Sequence, residues 1–242
     1  MRSTRTSLAA VGIAVLAAGT LTSSWAAPPS HAAPSAFDPA AFAHPVDNPY
    51  FPLTPGLTTR LHGTEGAEHF VEKTRVTHRT RLIAGVTATV VRDVVRRPDG
   101  TLNETTDDWY AADDQGNVWY FGEDTATYDE HGHLQDREGS WEAGKHGAEP
   151  GIIMPNPARP SRADFMEYSK GVAEDQAWVV QHLGHVRTSG GRFDDIVRTF
   201  EWSRLEPHVI SQKFYAAGIG IVAERDVAAG DEHFWVVSYH PA

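Results

Sequence analysis

Carboxylates stand among aromatic side chains in neighbouring runs of this sequence, and these residues are the ones best equipped for chemistry. An apolar groove with a few convergent polar groups is typical of small-ligand sites. Two carboxylates facing each other across such a groove are typical of glycosidases, and ordinary core packing of the aromatics is the alternative. No catalytic residue can be assigned. The candidate ligand-binding residues are Asp108, Trp109, Tyr110, Trp119, Tyr120, Glu123, Trp141 and Glu142.

A divalent cation is the one cofactor that the sequence suggests, through two short polar segments. Asp113, Asp114 and Asn117 surround a glycine and offer oxygen ligands of the kind that calcium prefers. His131 and His133 lie next to two acidic residues, but two imidazoles would need further ligands from elsewhere. Both segments are also ordinary turn sequences, because Asp, Asn and Gly favour turns for their own backbone reasons.

Two other kinds of chemistry find little support in the sequence. The chain has no cysteine and no Gly-x-Ser-x-Gly motif, so an activated nucleophile has no evident setting. The segment 218–223 matches the sequence pattern of a dinucleotide-binding motif. However, its alternation of apolar residues predicts a strand, whereas that motif requires the start of a helix.

The elements that must position these residues are strands. Short β-branched and aromatic runs alternate with Gly, Asp and Asn turns, which is typical of antiparallel sheets. We predict a mostly β fold: a single antiparallel, curved sheet or an open half-barrel or barrel, with a long Pro/Gly-rich loop and at most one short helix. The predicted strands include 86–95, 118–121, 196–202, 219–227 and 234–239, and the long loop spans 141–162.

Three finer expectations concern single segments. In the strand 219–227, the apolar side chains are expected on a covered face, with Glu224 and Asp226 on a solvated face. Residues 172–183 fit a helix or a strand about equally well. Tyr50 and Phe51 lie in a proline-rich segment that is expected to be extended and docked on the domain.

The N-terminus has the order of an export signal. Arg2 and Arg5 precede an apolar run that is shorter than the roughly 20 residues of a membrane span, and small residues follow it. We predict a signal peptide at 1–26, a flexible Ala/Pro-rich tether at 27–44 and a single β-rich domain at 45–242. The protein is therefore expected to be secreted, without a membrane span.

Charge bounds the choice of partners. The chain carries 21 basic and 32 acidic residues, and removal of Arg2 and Arg5 with the signal would leave a net charge of −13. Nucleic acids and anionic lipids bind mainly through clusters of Lys and Arg, so neither is an expected partner. We expect a monomer that binds a small molecule or a glycan.

Several segments together resemble a known group of proteins. They are 48–53 (NPYFPL), 108–111 (DWYA), 116–124 (GNVWYFGED), 138–144 (EGSWEAG) and 213–220 (KFYAAGIG). Through them, residues 37 to 240 are similar to uncharacterised exported β-rich proteins common in actinobacteria. The segment 214–220 also resembles small envelope proteins with open, half-barrel sheets. The resemblance implies export and a mostly β fold, but no established activity.

The sequence thus favours a secreted protein that binds a small or extended ligand on an aromatic and acidic sheet face. A secreted hydrolase that uses carboxylates or a metal on a glycan-type substrate is the second hypothesis. A structural envelope protein is the third.

Overall fold

The computed structural model describes residues 37–160 and 163–242, and this part of the chain is almost entirely β. The predicted signal peptide and most of the predicted tether lie outside the described residues. The one helical element among them is a four-residue 3-10 turn, Pro39–Phe42. No helix in these two ranges is long and apolar enough to cross a membrane. The strands are β1 Thr58–Glu65, β2 Glu68–Ile83, β3 Val86–Arg96, β4 Leu102–Ala112, β5 Val118–Tyr128, β6 Leu134–Asp136, β7 Trp141–Glu142, β8 Glu149–Met154, β9 Asp164–Phe165, β10 Glu167–Tyr168, β11 Asp175–Thr188, β12 Gly191–Ser203, β13 Ile210–Ala216, β14 Gly220–Ala228 and β15 Glu232–His240.

These strands form one antiparallel sheet that curls almost into a closed barrel, so the predicted fold class is confirmed. Most neighbours in the sheet are also neighbours in sequence, in the order β10-β8-β5-β4-β3-β2-β1-β15-β14-β13-β12-β11-β9. The long-range pair is β1 with β15, which joins the two ends of the meander. The two edges remain as an unsealed seam, spanned by residues 164–168, which place β9 beside β11 and β10 beside β8.

The strand β14 carries its side chains the opposite way to the prediction. Glu224 is buried and faces the inside of the barrel, where Lys213 lies 3.6 Å from it, whereas Val227 is exposed. A register shift between Ile221 and Ala223 places Ile221 on the same inner side as Glu224. The face predicted to be solvated is therefore the interior, because alternation of polar and apolar residues fixes the two faces but not which of them is inside.

Strands occur in two regions where the sequence did not predict them: one region was left open between helix and strand, and the other was predicted to be a loop. Residues 172–183 lie mostly in β11, which resolves the choice between helix and strand in favour of a strand. The loop predicted at 141–162 holds the short β7 and the six-residue β8, despite Pro150 and Gly151. Glycine fits there because a Cβ at Gly151 would lie 2.5 Å from the carbonyl oxygen of Phe165 on the strand that crosses the seam.

The outer face of β5 is covered by residues from the end of the predicted tether. Phe37 and Phe42 pack against Trp119 and Phe121, with ring centroids 5.6 to 6.0 Å apart. The packed part of the chain therefore begins by Phe37.

Candidate functional site

The inner wall of the barrel is lined by carboxyl groups. All of them are buried, and they alternate along their strands with side chains that point outward. Cross-strand partners bring them together; for example, Asp108 on β4 lies opposite Glu123 on β5. The set comprises Glu72, Asp93, Glu104, Asp108, Glu123, Glu167, Asp175, Glu201, Glu224 and Glu232.

Burial without counter-charge raises the pKa of most of these groups. For Glu72 the main cause is burial, followed by the charge of Asp93, and its pKa lies well above the ordinary value. Burial likewise raises the pKa of Asp108 and Glu123 far above their usual range. It raises the pKa of Asp175 to about 6. A low-dielectric interior disfavours the charged form of a carboxyl group, so burial in this barrel favours the protonated form.

One basic side chain offsets part of this acidity. Lys213 is the buried basic residue of the described chain, and its Nζ lies 2.9 Å from Glu201 Oε2. Glu201 Oε1 also accepts hydrogen bonds from Thr199 and from the hydroxyl of Tyr215. For Glu224, burial outweighs the attraction of Lys213, and its pKa rises to about 8. The ion pair of Lys213 with Glu201 therefore lies on β13 and β12 and not on β2, β3 or β4.

A half-open cavity of about 80 Å³ lies on the side of the barrel without that lysine. Its wall includes Glu72, Asp93, Asp108, Thr74 and Tyr110, whereas its mouth is apolar. The mouth residues are partly exposed, apart from the buried Leu57. They are Phe51, Pro52, Leu57, Ile219 and Ile221. The cavity therefore combines a carboxyl-lined base with an apolar rim.

A strap formed by residues 48–52 covers this end of the barrel. The Asn48 side-chain amide donates to the carbonyl of Gly116, and the amide of Gly218 donates to the carbonyl of Pro49. Phe51 packs on Tyr110 with a centroid distance of 4.9 Å. The docking predicted for Tyr50 and Phe51 agrees with these contacts, and the strap joins the β4–β5 turn to the β13–β14 turn.

Tyr50 anchors the strap on its other side. Its hydroxyl donates to Asp195 Oδ1 and lies 2.9 Å from His182 Nε2. Burial and then the hydrogen bond to Asp195 raise the pKa of Tyr50 to about 12. Leu183 and Asp195 adopt positive φ angles of 58° at the irregular pairing of β11 with β12. This local strain turns His182 and Asp195 toward the strap.

The structure divides the predicted ligand-binding residues between two faces. On the inside, the rings of Tyr110 and Tyr120 stack with centroids 4.7 Å apart, and the Tyr120 hydroxyl donates to Asp108 Oδ1. Glu123 and Trp141 are partners on this side, and both are buried. Of the eight predicted residues, Asp108 and Tyr110 line the cavity.

The other three predicted residues lie on the outer face. Trp109 is covered by the guanidinium of Arg81 at 4.2 Å, and Glu142 pairs with both Arg81 and Lys145. The indole of Trp119 donates to Asp113 Oδ2. These contacts satisfy the three side chains and separate them from the inner carboxyl groups.

The predicted cation ligands are used in turns. The Asp113 carboxylate accepts hydrogen bonds from the amides of Gln115 and Asn117, the Asn117 side chain and the Trp119 indole. Asp129 accepts from the amides of His131 and His133. Asp114 accepts from the amide of His44. Within 37–160 and 163–242, no group of three or more His, Asp or Glu side chains is placed to hold a metal ion.

Among the inner carboxyl groups, Glu167 and Asp175 form a hydrogen-bonded pair. Burial raises the pKa of Asp175 to about 6, and burial followed by the charge of Asp175 raises the pKa of Glu167 well above its ordinary value. Burial is also the main cause that raises the pKa values of Asp108 and Glu123. Paired acid and base groups in catalytic sites have pKa values pushed apart by their surroundings. The glycan hydrolase stays a prediction.

Glu72 and Asp93 were missed by the sequence interpretation. Glu72 lies between Val71 and Lys73 and Asp93 lies between Arg92 and Val94, so the charged neighbours make both positions look solvated and hide their burial. A signal was available in β2, where Glu72, Thr74 and Val76 share a face of mixed polarity. Such a face fits a polar interior as well as it fits a solvated surface.

Comparison with known proteins gives distant structural likeness only. No protein-family model matches the sequence, and no curated protein matches it significantly. A protein of YmcC-like fold from Bacteroides fragilis, inferred to be exported, has 13% identity and a TM-score of 0.46, over 79% of this chain and 98% of that chain. An inferred lipoprotein from Parabacteroides distasonis has 11% identity and a TM-score of 0.45, over 81% and 100%. The expected actinobacterial origin gains no support, and likeness at this level carries no argument about function.

Proposed function

We propose that this chain is an exported protein that binds a small ligand inside its barrel, in the cavity beneath the strap. The single observation that carries the proposal is the composition of that cavity. Buried polar side chains converge at its base, and partly exposed apolar side chains form its mouth. Small-ligand sites have this combination, because apolar walls supply affinity and a few polar groups fix orientation.

The interior position refines the predicted aromatic and acidic sheet face. Asp108 and Tyr110 line the cavity, and Tyr120 holds Asp108 from behind. Trp109, Trp119 and Glu142 would then serve packing and ion pairing on the outer face. The proposed binding surface is concave, which a ligand of a few atoms requires, whereas a flat outer face would suit an extended ligand.

Export is supported by the order of residues in 1–26. A positively charged start, an apolar run and small residues before Ala27 form the pattern that signal peptidases cleave. Expression of the full chain in a bacterial host, followed by mass measurement of the exported product, tests this part. The expected product begins at Ala27 or Pro28, and an uncleaved chain retained in the cytoplasm would contradict export.

Ligand binding is tested by thermal unfolding of the exported protein with a panel of small molecules, together with native mass spectrometry for a co-purified molecule. A ligand that binds the folded state at a hundredfold excess over its Kd stabilises it by about 2.7 kcal/mol. The variant Ile221→Trp should block the mouth and abolish the effect. Leu82→Trp adds the same ring at an exposed site outside the cavity lining, and it should bind as the native protein does.

Binding that persists in Ile221→Trp would place the ligand elsewhere. If no member of the panel binds and no molecule co-purifies, the binding hypothesis fails and the structural envelope role takes its place.

A further inference from the structure

We propose that the cavity selects ligands that carry a protonated primary amine on a short apolar chain. The ammonium group would lie among Glu72, Asp93 and Asp108, and the chain would lie along the apolar mouth. This inference names the ligand class of the binding site proposed above and rests on that proposal.

The first argument is the sign of the charge. Three carboxyl groups line the cavity, and none of its lining residues is basic. Lys213, the buried base of the inner wall, is engaged by Glu201 and Glu224 and does not line it. A ligand anion would find no base to pair with in this space, whereas a cation would be stabilised by each of the three carboxyl groups that ionises.

The second argument is that two of these carboxyl groups have unused oxygens. The Glu72 and Asp93 carboxyl groups hydrogen-bond each other, and beyond that contact Glu72 Oε2 and Asp93 Oδ1 find no donor within the described parts of the chain, although both side chains are more than nine-tenths buried. Their other oxygens lie 3.0 and 3.2 Å from the Thr74 hydroxyl, whose single proton can be donated to one of them at a time. Buried acceptors without donors are costly, and a donor supplied by a ligand would remove that cost.

An ammonium group matches this set of acceptors better than a metal ion does. It carries three N–H donors and needs acceptors at ordinary hydrogen-bond distances. Hard metal ions need six or more close oxygen ligands, and no metal-binding group of acids occurs within 37–160 and 163–242. Asp108, already bonded to Tyr120, completes the acidic base of the cavity.

The third argument is the apolar mouth. Phe51 and Pro52 from the strap, Leu57, Ile219 from the β13–β14 turn and Ile221 from β14 all line the cavity. These side chains offer no hydrogen bond to a second polar group. The part of the ligand that leaves the carboxyl groups therefore meets hydrocarbon.

Volume sets the length of the part that fits inside. A water molecule occupies roughly 10–15 Å³ of the accessible volume of a cavity. A cavity of about 80 Å³ therefore accepts on the order of six non-hydrogen atoms. An n-pentylammonium ion has that size, and longer chains can extend through the half-open mouth.

Binding should strengthen as pH rises, because the carboxyl groups must ionise to pair with the cation. Glu72 is faced by Asp93 on β3 and Glu224 on β14, and Asp108 is faced by Glu104, Asp107 and Asp93. Arg92 is the cation whose charge acts on Asp93. Since the surrounding charge is mainly negative, cation binding should release protons from this cluster.

The test is isothermal titration calorimetry of the exported protein with three probes of similar shape: n-pentylamine, 1-pentanol and pentanoate. Only n-pentylamine is expected to bind. Its affinity should rise at least tenfold between pH 5.5 and 8, and the measured heat should depend on the buffer because protons are released.

Two variants separate the site from the general acidity of the barrel. Glu72→Gln and Asp93→Asn should each weaken n-pentylamine binding at least tenfold at pH 8. Glu232→Gln is the matched control: it removes a buried inner carboxyl that neither lines the cavity nor is one of the charged groups facing Glu72, Asp93 or Asp108, and it should retain affinity within threefold. Circular dichroism checks that each variant is folded.

The outcomes distinguish the two proposals. Equal or stronger binding of 1-pentanol or pentanoate would overturn the amine class and leave the cavity as a ligand site. Equal losses in Glu232→Gln and Glu72→Gln would also overturn it, because diffuse charge would then be responsible. If no probe binds and the panel used for the proposed function also fails, both proposals are wrong.

Discussion

At the scale of single residues, Asp113 shows how one carboxylate organises a turn. Its two oxygens accept four hydrogen bonds, and one donor is the buried indole of Trp119. Asp113→Ala should lower the free energy of unfolding by about 3 kcal/mol, because the loss leaves a buried donor unpaired. Urea denaturation measures the change.

Asp114→Ala is the matched comparison, since the neighbouring carboxylate accepts from the exposed His44 amide. Its expected cost is under about 1 kcal/mol. Equal costs for the two variants would contradict the structural role of Asp113. If calcium stabilised the native protein and Asp113→Ala abolished that effect, the predicted cation site in this loop would be supported.

At the scale of elements, Gly122 fixes how β5 pairs with β7. Its φ is +126°, and a Cβ there would lie 2.3 Å from the carbonyl oxygen of Trp141. Gly122→Ala should therefore destabilise the fold by about 3 kcal/mol or more, through backbone strain and displacement of β7. Gly100→Ala, also at positive φ but next to open space, should cost only about 1 kcal/mol.

Thermal unfolding of the two variants gives the comparison, and Trp141 fluorescence reports the displacement of β7. Similar midpoints for both variants would show that the close approach at Gly122 does not matter.

Individual strands are the part of the fold that the sequence predicts well. The β-branched runs at 86–95 and 234–239 lie in β3 and β15, and the extended strap with Tyr50 and Phe51 is docked as expected. The direction of the faces is not predictable from a single strand, as β14 shows. Period-two alternation gives the same pattern for a solvated face and for a polar interior, and only closure of the sheet decides between them.

The candidate site is less predictable than the strands, for a related reason. Asp108 and Tyr110 stand out because they lie among aromatic residues, but Glu72 and Asp93 come from strands without such a signal. Glu72, Asp93 and Asp108 lie on the consecutive strands β2, β3 and β4, and the pairing registers of these strands bring them together. The spacing of residues along one strand gives neither the register of a pair nor the face that lies inside the barrel.

At the scale of the whole molecule, the acidic interior should make the protein most stable at mildly acidic pH. Burial raises the pKa of Asp175 from 3.8 to about 6 and that of Glu224 from 4.5 to about 8. A carboxyl with a raised pKa in the folded state contributes no penalty below its ordinary pKa, where both states are protonated. As pH rises toward the folded-state pKa, ionisation increasingly favours the unfolded chain.

The midpoint temperature of unfolding should therefore decrease as the pH rises from about 4.5 to about 8. The expected loss is a few kcal/mol, since one pKa unit corresponds to about 1.4 kcal/mol. Asp107 and Glu142 have lowered pKa values, because their arginine or lysine partners outweigh burial. Their contribution to the pH dependence of stability therefore occurs at a lower pH, around and below their ordinary pKa values. Thermal unfolding from pH 4.5 to 8.5 measures how the midpoint temperature depends on pH, and Glu224→Gln should reduce that dependence. A midpoint that rises over this range would contradict the acidic interior.

The most direct test of the account is the position of a bound probe in solution. In ¹³C- and ¹⁵N-resolved NMR spectra of the exported protein, n-pentylamine should shift signals of Phe51, Leu57, Thr74, Tyr110 and Ile221, which line the cavity. Intermolecular nuclear Overhauser effects should connect the pentyl chain to Leu57 and Ile221. Shifts confined to the outer residues Trp109 and Trp119 or to the loop 113–117, with the cavity signals unchanged, would contradict it.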